Sequence, residues 1–328
     1  MQDSNQSCGG MRWMNLSKFA AVAVFLAAGF PSKSIAQQPG QKTFSSCSDA
    51  VSALVTAAEN NDEKTILEIL GPDGRQIVSS GDPAEDLENR ANFVQRYKEM
   101  HRFVKEPDGT TTLYAGAHNW PFPIPLMNKA GAWYFDTSMG KKEILFRRIG
   151  RNEISTIHVC QELVAAEKEF FASHKKQYAP KIYSDDGKQN GLYWKSGDGQ
   201  PQSPIGPLVA QAVAHGDAQA TPYRGYYFQM LPEQGASAPG GAKSYSADGK
   251  MTGFAFVAYP AEYRSSGVMT FIVGSNGVVY SKDLGPSTAA IAKALKTYNP
   301  DATWKMDRDQ PNLPAAAQNA KPAAQNAK

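Results

Sequence analysis

The chain has 328 residues, 41% hydrophobic and 20% charged, a balance that excludes a disordered polypeptide and leaves length for two ordinary domains. Thirty-four lysines and arginines nearly cancel 31 aspartates and glutamates. The formal charge of +3 therefore supplies no long-range field for nucleic acid or anionic lipid.

Residues 1–36 read as a signal peptide. Arg12 and Lys18 lead into an apolar run from Phe19 to Phe30, and Ser34 and Ala36 give an A-x-A-like cleavage site before Gln37. The run falls short of the ~20 residues a membrane span needs. Cleavage near Ala36 removes Arg12, Lys18, Lys33 and Asp3 and leaves a nearly neutral mature chain. The expectation is a periplasmic or extracellular protein with no membrane span after signal cleavage.

A polar spacer, residues 37–43, precedes the first helix, "FSSCSDAVSALVTAAE". Ser46 and Asp49 form an S-x-x-D capping box, and Val51, Leu54, Val55 and Ala58 share one face. A shorter helix from Glu63 to Leu70 stops at Gly71-Pro72. A third begins with Asp82 as N-cap and Pro83 at its first position, with Leu87, Ala91, Val94 and Tyr97 on its apolar face. The short β-prone runs "HRFVKE", "TTLYAGA", "PIPLMNK" and "AWYFDT" follow, the last two joined by a Gly-containing turn. Residues 44–138 thus read as a helix-rich α+β domain, whose element order resembles the cone-shaped folds related to nuclear transport factor 2.

A long helix from about Lys142 to His174 comes next, with a break expected at Gly150 and a buried stripe of Ile157, Cys160, Val164 and Phe171. After an irregular Gly/Pro-rich segment (185–207) and a short helix at "GPLVAQAV" come four strands: "YRGYYFQML", "GFAFVAYPA", "GVMTFIVGS" and "GVVYSKDL". An Asn-Gly turn joins the last two. A closing helix from Ser287 to Tyr298 is capped by Ser287, and residues 307–328 form a low-complexity Ala/Gln/Asn/Lys tail expected to be disordered. Residues 139–306 are then a long helix packed on a four-stranded antiparallel sheet, a layout that resembles the soluble part of type IV pilins. The fold class expected for the whole chain is α+β.

Several words of the sequence are similar to those of one family: "WPFPIPL", "WYFDT", "RRIGRNE", "LGPDG", "APGG", "PAEY" and "SGVMTFIV". On these, the stretch from about Phe44 to Trp304 is identified as a member of the bacterial exported family DUF2950, a domain of unknown function. The resemblance implies no activity, cofactor or catalytic residue.

Candidate sites are few. In "RRIGRNE", Arg147, Arg148 and Arg151 could clamp a phosphate or carboxylate. The favoured reading is a domain junction, with the arginines on one helical face and Gly150 allowing a bend. In "WPFPIPL", alternate prolines hold Trp120 and Phe122 in extended geometry, either as a binding ledge or, as favoured, folded onto the core. His101 and Asp136 are the one acid/base pair to consider. Cys47 and Cys160 could bridge in an oxidising compartment, although two buried thiols are the favoured outcome. The loop "GASAPGGA" (235–242) reads as mobile. G-x-S-x-G, H-E-x-x-H, P-loop and dinucleotide motifs and metal-ligand spacings are missing from the sequence, so no cofactor or metal is expected. The expectation is a non-catalytic structural or binding protein of the envelope whose partner is an envelope protein or a glycan. The rivals are an envelope enzyme with a polar pocket in the first domain and an accessory of a pilus or secretion system.

Overall fold

The computed structural model describes residues 38–79, 83–197, 202–213 and 221–307. The leader, the cap at Asp82 and the C-terminal tail lie outside the described residues. The chain divides into two units between Leu145 and Phe146, and both mix helices with antiparallel sheets, the expected α+β class.

The first unit opens with α1 (Cys47–Glu59), and the Ser46 side chain accepts the Asp49 amide at 3.0 Å as the capping box requires. α2 (Glu63–Leu70) stops where Gly71 turns to a φ of 77° ahead of Pro72. Its last carbonyls find side-chain donors instead of helical ones: Gln41 Nε2 reaches Ile69 O at 3.0 Å, and Thr137 Oγ1 donates to Leu70 O. A 3-10 turn (Pro72–Gly74) leads to a one-turn helix, α3 (Arg75–Val78), which periodicity did not signal. α4 (Pro83–Glu99) starts on Pro83 as expected.

Five strands follow: β1 (His101–Lys105), β2 (Thr111–Ala115), β3 (Trp120–Pro121), β4 (Leu126–Lys129) and β5 (Ala132–Phe135). They form an antiparallel sheet of order β1-β2-β4-β5, with β3 on β2. The prolines at 121, 123 and 125 shorten β3 and delay β4 to Leu126, since they cannot donate to a ladder. The β4–β5 turn places Ala130 and Gly131 at φ of 50° and 87°, the left-handed pair that a two-residue hairpin demands. The core of this unit joins Val51, Leu54, Ile66 and Ile69 of the helices to Leu113, Leu126 and Phe135 of the sheet.

α5 (Thr137–Ser173) crosses the boundary between the units as one uninterrupted helix of 37 residues. The expected break at Gly150 is not there. Glycine costs a helix only about 1 kcal/mol relative to alanine, too little to interrupt so long a ladder. In the second unit, α6 (Pro207–Val213) precedes β6 (Tyr226–Leu231), β7 (Glu233–Gln234), β8 (Lys243–Ser244), β9 (Ser246–Ala247), β10 (Lys250–Met251), β11 (Ala255–Pro260), β12 (Met269–Gly274) and β13 (Val279–Asp283). α7 (Thr288–Ala294), β14 (Thr297–Tyr298) and β15 (Lys305–Met306) close the chain. The main sheet has the order β15-β13-β12-β11-β6, the four expected strands with two-residue β15 added at an edge.

Both faces of this sheet are covered. Phe256 and Ala258 of β11 join Leu163, Val164 and Phe170 of α5 in one core, while Ala255 and Val257 join Tyr245 and Tyr298 in another. The second face explains why the closing helix is shorter than expected. It ends at Ala294 so that Tyr298 can lie under the sheet, where a Cβ on Gly274 would sit 2.8 Å from its ring. Ser287 stands at the N-cap of α7 without a side-chain capping bond. The 235–242 loop is held rather than loose: Gln234 Nε2 donates to Pro239 O at 2.8 Å and Gly241 O at 2.6 Å, and Asn299 takes the Ser237 amide at 2.9 Å.

A Cβ built on Gly150 meets nothing within 4 Å. Gly150→Ala should therefore stabilise the protein by about 0.5–1 kcal/mol in urea unfolding. A loss of stability would mean that the helix needs to bend there.

Candidate functional site

The residues after the three arginines do the work that can be seen. From α5, Glu153 Oε1 accepts the amides of Val268 and Met269 at 2.9 and 3.0 Å. One residue earlier, Asn152 Nδ2 donates to Ser266 O at 2.8 Å. The helix thereby grips the connection between β11 and β12. Beneath it, Tyr226 donates its hydroxyl to Met269 O at 2.9 Å, and a Cβ on Gly267 would lie 2.0 Å from that oxygen. Gly267 is a glycine because the phenol occupies its side-chain space. Burial first, then the Glu153 carboxylate and Cys160, hold the Tyr226 hydroxyl far above the usual phenol range. It therefore stays a donor. "RRIGRNE", "PAEY" and "SGVMTFIV" meet in this one clamp.

Cys160 is a free, fully buried thiol, so it does not bridge to Cys47. Burial raises its pKa well beyond the thiol range, which leaves it inert.

Two turns of α5 further on, Glu167 is completely buried. Its Oε2 accepts the Ala179 amide at 2.9 Å, while its Oε1 has no hydrogen-bond partner. Burial pushes its carboxyl up to about 8, with the Ala179 bond pulling the other way. Glu167 is thus a neutral acid at pH 7. It holds the chain that returns after α5, where Lys175 and Lys176 both take left-handed φ values (52° and 62°). Two such non-glycine residues cost about 1–2 kcal/mol each. The Ala179 bond and the stacking of Phe171 on Tyr178, with centroids 4.6 Å apart, offset that cost.

The residues picked out from sequence are placed as follows. Arg148 and Arg151 are exposed on α5 and Arg147 is half-buried. Phe122 packs on Phe93 and Phe135 at centroid distances of 4.8 and 6.1 Å, within the first unit's core, and Trp120 lies half-buried under the Arg96 guanidinium, 5.0 Å from its ring. The two aromatics fold down rather than forming a free ledge. His101 stacks on Tyr97 at 3.9 Å, while Asp136 takes the Met139 amide at 2.9 Å as the first-turn cap of α5. The suggested acid/base pair is not assembled.

Sequence reading missed Glu153 because its partners lie 115 residues away. Glu167 carried a signal, since it follows Cys160 by seven residues and Leu163 by four and so falls on the apolar face. It also missed a groove in the first unit. Ala58, Glu59 and Asn61 at the end of α1 face Leu87, Ala91, Val94 and Lys98 of α4 around a volume of about 420 Å³. Its floor is apolar. Its rim is polar, with Lys98 paired to Glu59 and Arg90 Nε donating to Asn61 Oδ1 at 3.1 Å. Leu87 is 48% exposed at its edge. That volume lies at the lower end of the roughly 300–1,000 Å³ of small-ligand pockets.

Among the described residues, no three His, Cys, Asp or Glu side chains are grouped to hold a metal, and no helix is long and apolar enough to cross a membrane. The family model for "Protein of unknown function (DUF2950)" matches residues 41–306. No curated protein and no solved structure matches the chain.

Two outcomes test this geometry. Glu153→Ala should cost about 2–4 kcal/mol in urea unfolding, and Glu153→Gln, which keeps an acceptor oxygen, less than half of that. Glu167 has its folded pKa raised from 4.5 to about 8, so its neutral form favours folding fully below pH 4.5 and that stability drains away as pH rises toward 8. The wild type should lose up to about 1.4 kcal/mol per pH unit over that window, a component that Glu167→Gln removes. Equal slopes for the two proteins would show that Glu167 is already ionised.

Proposed function

This chain belongs to the DUF2950 family of proteins of unknown function, and on that footing we propose that it is an exported envelope protein that acts by binding a partner. The observation that carries the reading is the α1–α4 groove: exposed apolar surface framed by polar groups of which Lys98 and Glu59 pair with each other and Asn61 with Arg90. An apolar floor with a satisfied polar rim selects by shape and burial, which is how a surface takes an apolar side chain of another polypeptide. A sugar would instead call for unpaired donors and acceptors around the floor. The partner is therefore an envelope protein presenting an apolar side chain, in preference to a glycan.

The sequence signals of the leader support export, and the near-neutral mature surface fits a protein that meets its partner by short-range contact. The rival enzyme reading placed a polar pocket in the first unit. The groove found there is lined equally by Ala58, Leu87, Ala91 and Val94 and by Glu59, Asn61, Gln95 and Lys98, and its two charged residues are tied to each other as an ion pair.

A second reading rests on the layout of the other unit. A long helix whose stripe from Ile157 to Phe170 covers an antiparallel sheet supports a reading by analogy with the pilin layout, as an accessory of a pilus machine.

A photo-crosslinking residue in place of Leu87, expressed in the native envelope, should give a discrete adduct that disappears when Ala91→Trp fills the groove. Adducts that survive the filled groove would refute the binding reading. Intact mass of the exported protein decides between the two roles, because a pilus accessory retains its N-terminal apolar segment and a soluble binding protein begins near Gln37.

A further inference from the structure

The two edges of the first unit's sheet are treated differently. At β5, Phe44 closes the edge by exchanging both main-chain hydrogen bonds with Trp133, at 2.8 and 2.9 Å. At β1 the edge is open. The Gly116 amide donates to Met100 O and the Glu106 amide to Thr110 O, so Arg102 and Val104, in step with these, face β2. His101, Phe103 and Lys105 therefore turn their amides and carbonyls outward, where no backbone partner meets them among the described residues. The side chains along the edge are open too. Phe103 and Val104 are only half-buried, Phe103 at the margin of the core, and Met100 just before them is 45% exposed. Arg102 and Lys105 are exposed, and no carboxylate pairs with either among the described residues. Arg102 donates from Nε to Asn119 Oδ1 at 3.0 Å and lies over the Tyr114 ring, contacts that leave its charge in place. The acids that follow in sequence are occupied elsewhere: Glu106 accepts from Tyr114 and Asp108 from Thr110.

We propose that β1 takes up an extended segment of a partner protein as a further strand of this sheet, and that the segment carries two apolar residues bracketed by acidic ones. The backbone specifies a strand, because one extended chain satisfies all the outward amides and carbonyls at once. The side chains specify the pattern. Arg102 and Lys105 stand three positions apart and so on opposite faces, with Phe103 and Val104 between them. A paired segment then sets an acid against each cation and an apolar side chain beside Phe103 on one face and Val104 on the other. The same two charges repel basic strands, which makes the open edge selective. A second copy of β1 serves less well. Paired about Phe103, it brings no carboxylate to Arg102 or Lys105; paired about Val104, it sets Pro107, which cannot donate, opposite His101. The edge shares no residue with the α1–α4 groove, and its test does not depend on that site.

The test uses the purified chain and two labelled peptides of about ten residues, each with a central pair of valines bracketed by glutamate in one and by lysine in the other. Fluorescence anisotropy should show the glutamate peptide binding at least about tenfold tighter, with the margin shrinking as salt rises. Arg102→Glu with Lys105→Glu should reverse the preference, and a urea midpoint matching the wild type establishes that this variant folds. Two further arms need no variant. Methylating the amide of one valine should abolish binding while methylating the other leaves it, because alternate amides of a strand face its neighbour. With the peptide bound, hydrogen exchange at the Phe103 and Lys105 amides should slow by at least about tenfold, while Arg102 and Val104, already bonded to β2, change little. The proposal is overturned if neither peptide binds, if the two bind equally, if both methylated peptides bind as well as the parent, or if Phe103 and Lys105 gain no protection. Self-association without peptide binding would overturn it in favour of a second copy.

Discussion

The second unit depends on one constraint, that the inner face of α5 be kept out of water. From Ile157 to Phe170 that face carries seven apolar residues at 9% exposure or less, and they meet Phe228, Phe256, Phe271 and Val273 from the sheet. Each large side chain so buried contributes about 1.5–3 kcal/mol, so the seam outweighs any single polar contact in the unit. The position of the seam fixes the rest. It sets the sheet beneath the helix, and β11, an interior strand of that sheet, is buried along its whole length and must be covered on its other side too. α7, β14 and the pinned 235–242 loop supply that second cover.

What was legible from the letters follows from how local each signal is. The capping box at Ser46, the stop at Gly71-Pro72, the start at Pro83 and the four strands of the second sheet are written within a few residues, and each appears where it was read. The end of the last helix was not legible. The helical spacing of Ile291, Leu295 and Tyr298 continues past Ala294, but Tyr298 gains more by lying under Gly274 than by prolonging a short helix. Gly150 misled in the opposite sense, because a residue that permits a bend does not impose one. The clamp of Glu153 was invisible for a simple reason: its acceptor and donors are far apart in the chain, and a single carboxylate on a helix looks like a solvated charge until its partners are known.

The polar groups inside the second unit share a logic. A buried amide, hydroxyl or carboxyl costs several kcal/mol unless it finds a partner. The turn from β11 to β12 leaves the amides of Val268 and Met269 without strand partners at that point, and Glu153 supplies one oxygen for both. The return after α5 brings the Ala179 amide inside, and Glu167 meets it at the expense of keeping a proton that carboxyls normally lose. In each case α5 provides the acceptor. The helix is therefore both the apolar wall of the core and the source of its hydrogen-bond acceptors, so its face could not be replaced by a purely apolar one without orphaning three backbone amides.

That division of labour bears on where function can sit. A carboxylate committed to two backbone amides is not available to a substrate, and a thiol or phenol whose pKa is driven far upward by burial is not a nucleophile at neutral pH. The side chains with the most chemical potential in the second unit are thus spent on the fold. What remains exposed is surface: the apolar groove between α1 and α4, and Phe146 and Ile154 on α5. Apolar atoms left in water at such places weaken nothing that folding needs, yet they yield free energy as soon as another molecule covers them. Surface of this kind is where the proposed binding role has to sit, with selectivity set by what can fill a hollow.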